Sequence, residues 1–361
     1  MGSFEKWNEE FRKQNMYEFN NNPDGLLWLK VRAVCRNRQL RLFEEATGIN
    51  LSSRKVKDRN EELYGILQKR EDGMSIIDKF LQDRTHEWYA QLNVDINQLK
   101  EDLYKVQYYS WGGDHNNSLD KFLIGRYVKG ISNFNELQSL YGDIAANAWN
   151  YVQNSWYNNW TSYLIESLFK TNPKVISAVG EIKSVDFFIG GYPLDLKVTF
   201  FPHQFMEQKI KTLLGGSTLS WLKSQCKGVG ISADSKASTG QQIYSLTEKL
   251  KESNHCSILS ELQKARKKIV EEAEENPSEL ITWLYENQGE MRFGAENRLY
   301  LILSDINDFE NSWKMKRAFS LIEPKIENYL EGLKDSSFRK ICFSYKGDEY
   351  KTFADAIFIT K

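Results

Sequence analysis

The chain has 361 residues, which is long enough for two domains or for one large domain with insertions. Its 48 basic and 49 acidic residues nearly cancel, so its total charge gives no sign of a nucleic-acid-binding protein. Its four cysteines lack metal-ligand spacing, no apolar run approaches the length of a membrane span, and no signal peptide is visible. We therefore expect a cytoplasmic protein without disulfides and without a membrane partner.

Apolar residues recur at helical spacing through the first part of the chain. The pattern predicts helices at 28–43, 61–69, 76–93 and 96–109, with loops at 20–25 and 112–118. Residues 1–150 are therefore predicted to form a largely helical N-terminal region.

The stretch between residues 30 and 59 contains nine basic and three acidic residues, a local net charge of +6 in a chain whose total is −1. Such a cluster suits contacts with DNA phosphates, although a solvated helix face explains it equally well. The candidate DNA-binding residues are Arg32, Arg36, Arg38, Arg41, Lys55 and Lys57.

The pattern changes after residue 150, where strand signals alternate with helices. In chain order it predicts a helix at 160–169, a hairpin at 185–199, a helix at 204–214, a polar helical insertion at 217–292, a buried strand at 297–304, a helix at 312–333 and a closing hairpin at 338–360. This order predicts an α/β fold for residues 151–361, with a mixed central β-sheet flanked by helices.

The first hairpin sets two carboxylates opposite each other. Gly190 and Gly191 form a two-residue turn signal, and this register places Asp186 directly across from Asp195. Opposed like charges destabilise a strand pair, so the arrangement favours a bound cation. Lys197 lies two residues beyond Asp195 and therefore points to the same face. An exposed hairpin with two unrelated aspartates is the alternative interpretation.

Asp186, followed after eight residues by Asp195-Leu196-Lys197, resembles the PD-(D/E)xK signature of the restriction-endonuclease-like nuclease superfamily. Val185 stands where the signature has proline. The preceding helix of that superfamily often supplies a glutamate, and Glu166 is the matching position here. Glu181 competes for this role, but its odd spacing from Asp186 would turn it to the opposite side of a regular strand.

The resemblance implies a restriction-endonuclease-like core and a Mg²⁺-dependent DNA endonuclease, with a type II restriction enzyme as the expected member. Asp186, Asp195, Lys197 and Glu166 would be the catalytic residues, and Asp186 and Asp195 would hold the Mg²⁺. It further implies double-stranded DNA as substrate, a homodimer, and a bacterial or archaeal cytoplasm.

Three alternatives remain open from the sequence. A structure-specific or phage-defence nuclease of the same superfamily would carry the same residues. A non-catalytic nucleic-acid-binding protein could keep the fold, although it would have no reason to retain Asp186, Asp195 and Lys197 together. A helical scaffold protein is disfavoured by the strand signals after residue 150.

Overall fold

The computed structural model describes residues 2–53, 55–110, 118–179, 182, 184–287, 295–334 and 337–361. Helix accounts for 62% of the structure, and a six-stranded mixed sheet is flanked by helices. The predicted α/β class with a mixed, helix-flanked sheet is therefore confirmed.

The N-terminal part is helical, as the sequence predicts. Its helices are α1 (Ser3–Arg12), α2 (Pro23–Ala33), α3 (Asn37–Thr47), α4 (Val56–Gln68), α5 (Gly73–Gln91), α6 (Ile96–Leu103), α7 (Leu119–Leu123), α8 (Phe134–Ser139) and α9 (Tyr141–Lys170). The single helix predicted at 28–43 is wrong, since α2 and α3 are separate. Most residues of α2 are buried, whereas α3 buries only Leu40 and Phe43, so the two helices have different surroundings.

The sheet contains a meander followed by a parallel crossover. Its strands are β1 (Val175–Ser177), β2 (Phe187–Ile189), β3 (Tyr192–Phe200), β4 (Arg298–Ser304), β5 (Arg339–Tyr345) and β6 (Asp348–Thr360). They lie in the order β1-β2-β3-β4-β6-β5. The first three strands pair antiparallel, β3–β4 and β4–β6 pair parallel, and β5 closes antiparallel on β6.

Six α-helices follow β3 within the described residues. They are α10 (His203–Leu214), α11 (Thr218–Gly228), α12 (Thr239–Glu252), α13 (Cys256–Glu275), α14 (Ser278–Asn287) and α15 (Phe319–Glu331). The helix predicted at 312–333 is instead a 3₁₀ helix, Phe309–Arg317, followed by α15. The predicted insertion is helical, but its helices bury Trp221, Leu222 and Leu284 in a core shared with the sheet.

The two faces of the sheet carry different layers. Helices α9 and α15 cover one face, where residues such as Phe169 and Ile322 pack on alternate residues of β3 and β4, including Leu196 and Leu301. The opposite face is covered by α10–α14 over β4 and β6, and by α1–α5 over Phe188 of β2. Position 150, our predicted domain boundary, falls inside the continuous helix α9.

Over the described parts of the chain, the structure contains no helix of the length and apolarity that a membrane crossing requires.

Candidate active site

The hairpin that carries the aspartates has the predicted register. Phe187 pairs with Leu194 and Ile189 with Tyr192, so Gly190 and Gly191 form the turn. The pairing ends one residue before Asp186 and Asp195, whose carboxylates lie close enough to interact. Gly190 has φ +55°, which favours glycine. A Cβ atom at Gly191 would lie 1.9 Å from Oδ1 of Asn21, and the Asn21 N–H donates to the Gly191 carbonyl at 2.7 Å. The N-terminal segment therefore holds the turn in place.

Asp186 lies just beyond the end of the β2–β3 ladder. Its backbone N–H donates to the Leu194 carbonyl at 2.8 Å, and its carboxylate Oδ2 accepts from the Leu196 N–H, also at 2.8 Å. The side chain thus replaces a neighbouring strand at this edge of β3. Because the N–H and C=O of one strand residue face the same edge, the Leu196 carbonyl points to the side where the Asp186 carboxylate lies. Two kinds of oxygen that can ligate a metal, a carboxylate and a main-chain carbonyl, therefore face the same edge of β3.

Asp195 is a buried carboxylate with incomplete hydrogen bonding. Asp195 is 7% exposed, and its Oδ1 accepts a hydrogen bond from Nζ of Lys197 at 3.0 Å. Oδ2 lies 2.7 Å from the same Nζ and 3.6 Å from Nε of Arg298 in ion pairs, yet it receives no hydrogen bond of normal geometry from the described residues. An unsatisfied buried carboxylate oxygen is costly, so this atom is available to a ligand.

The electrostatic surroundings of Asp195 favour its neutral form. Burial raises the pKa of the carboxyl to about 6; the charge of Lys197 opposes this rise, and the carboxylates of Asp186 and Glu296 add to it. A bound cation would reverse this balance, because it would stabilise both carboxylates as anions.

Lys197 connects the buried site to solvent. The alternation along β3 turns Leu194 and Leu196 toward α9 and turns Asp195 and Lys197 to the opposite face. The Lys197 side chain is 42% exposed, whereas that of Asp195 is 10% exposed. The ammonium group therefore lies where the buried carboxylate meets the surface.

A second pair of charges lies behind Asp195 and was missed in the sequence. Arg298 pairs with Asp195 in the parallel register of β3 and β4, and its Nη2 lies 3.2 Å from Oε2 of Glu296. Its guanidinium also stacks over the Tyr285 ring at 4.9 Å. Glu296 is 5% exposed. Nothing in the sequence fixes the register between two distant parallel strands, so neither residue could be assigned to the site beforehand.

Glu166 does not join this cluster within the described structure. It lies on α9, which packs on the face of the sheet opposite Asp195 and Lys197. Its Oε2 lies 2.9 Å from Nζ of Lys170, and its charge contributes to the raised pKa of Tyr89. Among the described residues, Glu296 is the acid besides Asp186 whose charge raises the pKa of Asp195. The competing candidate Glu181 lies outside the described residues.

The six candidate DNA-binding residues are all exposed, on or beside α2, α3 and α4: Arg32, Arg36, Arg38, Arg41, Lys55 and Lys57. Two other basic residues of the 30–59 stretch form ion pairs, and Arg54 lies outside the described residues. Lys30 is buried, and its Nζ lies 2.6 Å from Oδ1 of Asp78. Arg59 forms an ion pair with Glu44. These helices cover Phe188, which shares a sheet face with Asp186, so the exposed basic residues belong to the layer on the aspartate side.

The donor set fits Mg²⁺. Across the described ranges, no group of three or more His, Cys, Asp or Glu side chains could hold a metal ion. Mg²⁺ nevertheless binds through one or two carboxylates while keeping several waters and a substrate phosphate as ligands. Asp186, the unsatisfied Oδ2 of Asp195 and the Leu196 carbonyl offer only hard oxygen donors of that type.

Comparisons of the chain with protein-family models, curated proteins and solved structures gave no match. The assignment of the site therefore depends on its own geometry.

Proposed function

We propose that the protein is a Mg²⁺-dependent DNA endonuclease. The observation that carries this proposal is the proximity of Asp186 and Asp195 at the edge of β3 where its pairing with β2 has ended, with Lys197 beside them at the surface. One buried carboxylate oxygen of this cluster receives no hydrogen bond from the described residues. Titratable groups whose pKa values are shifted by burial and by neighbouring charges are candidates for catalytic residues.

Asp186 and Asp195 would hold the Mg²⁺. When bound, the ion would lower the pKa of the attacking water and stabilise the extra negative charge on the phosphate. The hydrogen bond from the Leu196 N–H fixes the orientation of the Asp186 carboxylate through Oδ2. The Asp195 N–H donates to the Asn297 carbonyl at 2.9 Å, and this hydrogen bond between β3 and the residue before β4 fixes the main chain of Asp195. Both ligands are therefore held by the backbone before any substrate arrives.

Lys197 would orient or help deprotonate the attacking water, or neutralise a phosphate oxygen. Its ammonium pairs with Asp195 and is still partly exposed. It can therefore move toward a substrate without first leaving a buried position. Arg298 is buried behind Asp195 and pairs with Glu296, so it is unable to reach the substrate and serves to position Asp195.

The charge balance of the cluster suits a phosphodiester. The ionised carboxylates of Asp186, Asp195 and Glu296 outweigh the two cations Lys197 and Arg298 by one unit. A bound Mg²⁺ would change the net charge from −1 to +1, which complements one phosphodiester group. The metal would thus turn a site that repels DNA into one that attracts it.

The finer form of the proposal is a sequence-specific type II restriction endonuclease that acts on double-stranded DNA. The exposed basic residues of α2–α4 would contact phosphates, which position a protein on DNA without reading its bases. A homodimer would match a palindromic target. A structure-specific or phage-defence nuclease of the same superfamily would use the same chemistry on another substrate.

Incubating the purified protein with plasmid DNA, with Mg²⁺ or with EDTA, tests this proposal. Discrete fragments in Mg²⁺ alone support the restriction enzyme, whereas a smear supports a nuclease without sequence preference. Intact plasmid under all conditions, together with a gel shift, contradicts the enzyme.

The second candidate is a non-catalytic nucleic-acid-binding protein. It is favoured by one observation: Lys197 already pairs with Asp195, and Asp186 already accepts from Leu196, so much of the cluster is satisfied without a metal. Such a protein would bind DNA equally well in Mg²⁺ and in EDTA, and its melting temperature would not respond to Mg²⁺.

A further inference from the structure

A cavity of about 550 Å³ lies between α1, α2 and α4, at the segment that leads to Asp186. Ser184, two residues before Asp186, forms part of its wall, and Phe11 provides an apolar surface. Its volume is in the range of pockets that hold small ligands. Neither Asp186 nor Asp195 lines it, so it is separate from the candidate active site.

The cavity has a single sign of charge. Arg12, Arg32 and Lys57 line it, and no described Asp or Glu does. None of these three cations forms an ion pair with a described carboxylate, whereas the nearby Lys30 and Arg59 both do. The Arg32 guanidinium lies 5.8 Å from the ring centroids of both Phe11 and Trp28, so aromatic contacts hold it in position. Three unpaired cations around one space favour an anion.

Asn60 adds a second kind of recognition. It lines the same cavity and is only 8% exposed, and its buried Oδ1 has no hydrogen-bond partner among the described residues. A buried amide offers both a donor and an acceptor, which matches the edge of a nucleobase. A ligand that brings an anion and a flat polar ring would satisfy the cations and Asn60 together.

We propose that this cavity binds one nucleotide, with its phosphate against Arg12, Arg32 and Lys57 and its base beside Asn60 and Phe11. The nucleotide is either a free mononucleotide or a residue of a DNA strand, since both present the same groups. Binding here would act on the segment that carries Asp186, because Ser184 is part of the wall. The inference is independent of the proposed nuclease activity.

The test is calorimetric titration of the full-length protein in EDTA with the four deoxynucleoside 5′-monophosphates, the matching nucleosides and a single-stranded oligonucleotide. We expect mononucleotide binding in the wild type and at least roughly tenfold weaker binding of the nucleosides, because a charge-assisted phosphate contact is lost. The double variant Arg32→Gln/Lys57→Gln should weaken mononucleotide binding by a similar factor. The matched control Lys6→Gln/Lys69→Gln removes the same charge from exposed positions outside the cavity and should bind like the wild type.

The titrations with mononucleotides and with the oligonucleotide distinguish a free nucleotide from a residue of a DNA strand. Binding of the oligonucleotide alone, weakened in the Arg32→Gln/Lys57→Gln variant but not in the control, supports a DNA strand as the source. No binding of any nucleotide or oligonucleotide at millimolar concentration overturns the proposal, as does equal binding by both double variants. Circular dichroism melting of each variant verifies its fold. A protein that binds nucleotides here but cleaves no DNA would contradict the nuclease proposal alone.

Discussion

At the scale of single residues, the site depends on a conflict around Asp195. Its carboxylate is buried, one of its oxygens receives no hydrogen bond from the described residues, and Asp186 and Glu296 repel its charge. Lys197 and Arg298 compensate only in part, because Nε of Arg298 is buried, finds no hydrogen-bond partner in the described part of the chain and lies 3.6 Å from Oδ2. Without a cation, the ionised form of Asp195 therefore destabilises the fold.

This conflict predicts how stability depends on pH in the absence of metal. The pKa of Asp195 is about 6 in the folded protein, against about 3.9 for an unfolded aspartate. Its folded pKa is raised, so its contribution to stability is complete below the unfolded value and is lost as the pH rises through about 6. In EDTA, Asp195→Asn should therefore be more stable than the wild type at pH 7, by at most roughly 3 kcal/mol, and the difference should vanish near pH 4.

Urea unfolding of both proteins between pH 4 and 7 measures this difference. Asp102→Asn serves as the control of opposite sign. Hydrogen bonds from Lys105 and Gln98 lower the pKa of that exposed carboxyl, so removing it should cost stability at pH 7 and less at low pH. An Asp195→Asn variant that parallels the wild type at every pH would show that Asp195 is not strained.

At the scale of elements, the hairpin was predictable because its signals are local. Alternating apolar residues and the Gly190-Gly191 turn fixed both its strands and its register. Strand β1 was missed because three residues carry too little pattern. Glu296 and Arg298 were missed because their approach to Asp195 depends on the parallel pairing of β3 with β4, across roughly a hundred residues of chain.

The same nonlocal pairing gives Asn297 a structural role. Its Nδ2 donates to the Pro193 carbonyl at 3.0 Å and to Oδ1 of Asn20 at 2.6 Å, and its Oδ1 accepts from the Phe353 N–H at 3.0 Å. One buried amide thus joins β3, β6 and the segment before α2 at the end of the sheet that carries the site.

Asn297→Ala should therefore destabilise the protein by roughly 2–4 kcal/mol, because it leaves a buried carbonyl and a buried N–H without partners. Asn287→Ala is the matched control, since that asparagine is exposed and its Nδ2 bonds only one carbonyl, that of Trp283, on its own helix. The denaturant midpoints of the wild type, Asn297→Ala and Asn287→Ala measure this loss of stability. Equal midpoints for the two variants would mean that water replaces the bonds of Asn297.

At the scale of the whole molecule, the near-zero net charge conceals an uneven distribution. Exposed basic residues of α2–α4 belong to the helical layer that covers the aspartate side of β2. The sequence predicted the cluster but not that Lys30 and Arg59 form ion pairs within the helical layer. Burial and ion pairing arise only when the helices pack, so composition alone is unable to distinguish exposed basic residues from buried or paired ones.

This distribution predicts the salt dependence of DNA binding. Arg38 and Arg41 are three residues apart on one exposed face of α3. If both contact phosphates, Arg38→Glu/Arg41→Glu should weaken binding to all sequences alike and flatten the slope of log K against log salt by about 0.9 per lost contact. Lys223→Glu/Lys227→Glu on α11 makes the same charge change elsewhere and should leave the slope unchanged. Identical slopes for both double variants would contradict the assignment.

The proposed nuclease requires Asp195 as part of a metal-dependent phosphodiesterase site. Single-turnover cleavage of plasmid DNA in Mg²⁺ by Asp195→Asn measures this requirement, with Asp355→Asn as a matched control. Asp355 is a second buried aspartate of the same sheet, where it bonds Arg339 and Tyr329. We predict that Asp195→Asn lowers the rate by roughly a hundredfold or more while its DNA binding in Ca²⁺ persists, and that Asp355→Asn still cleaves. Cleavage by Asp195→Asn within a few-fold of the wild-type rate would show that Asp195 is not part of the catalytic site.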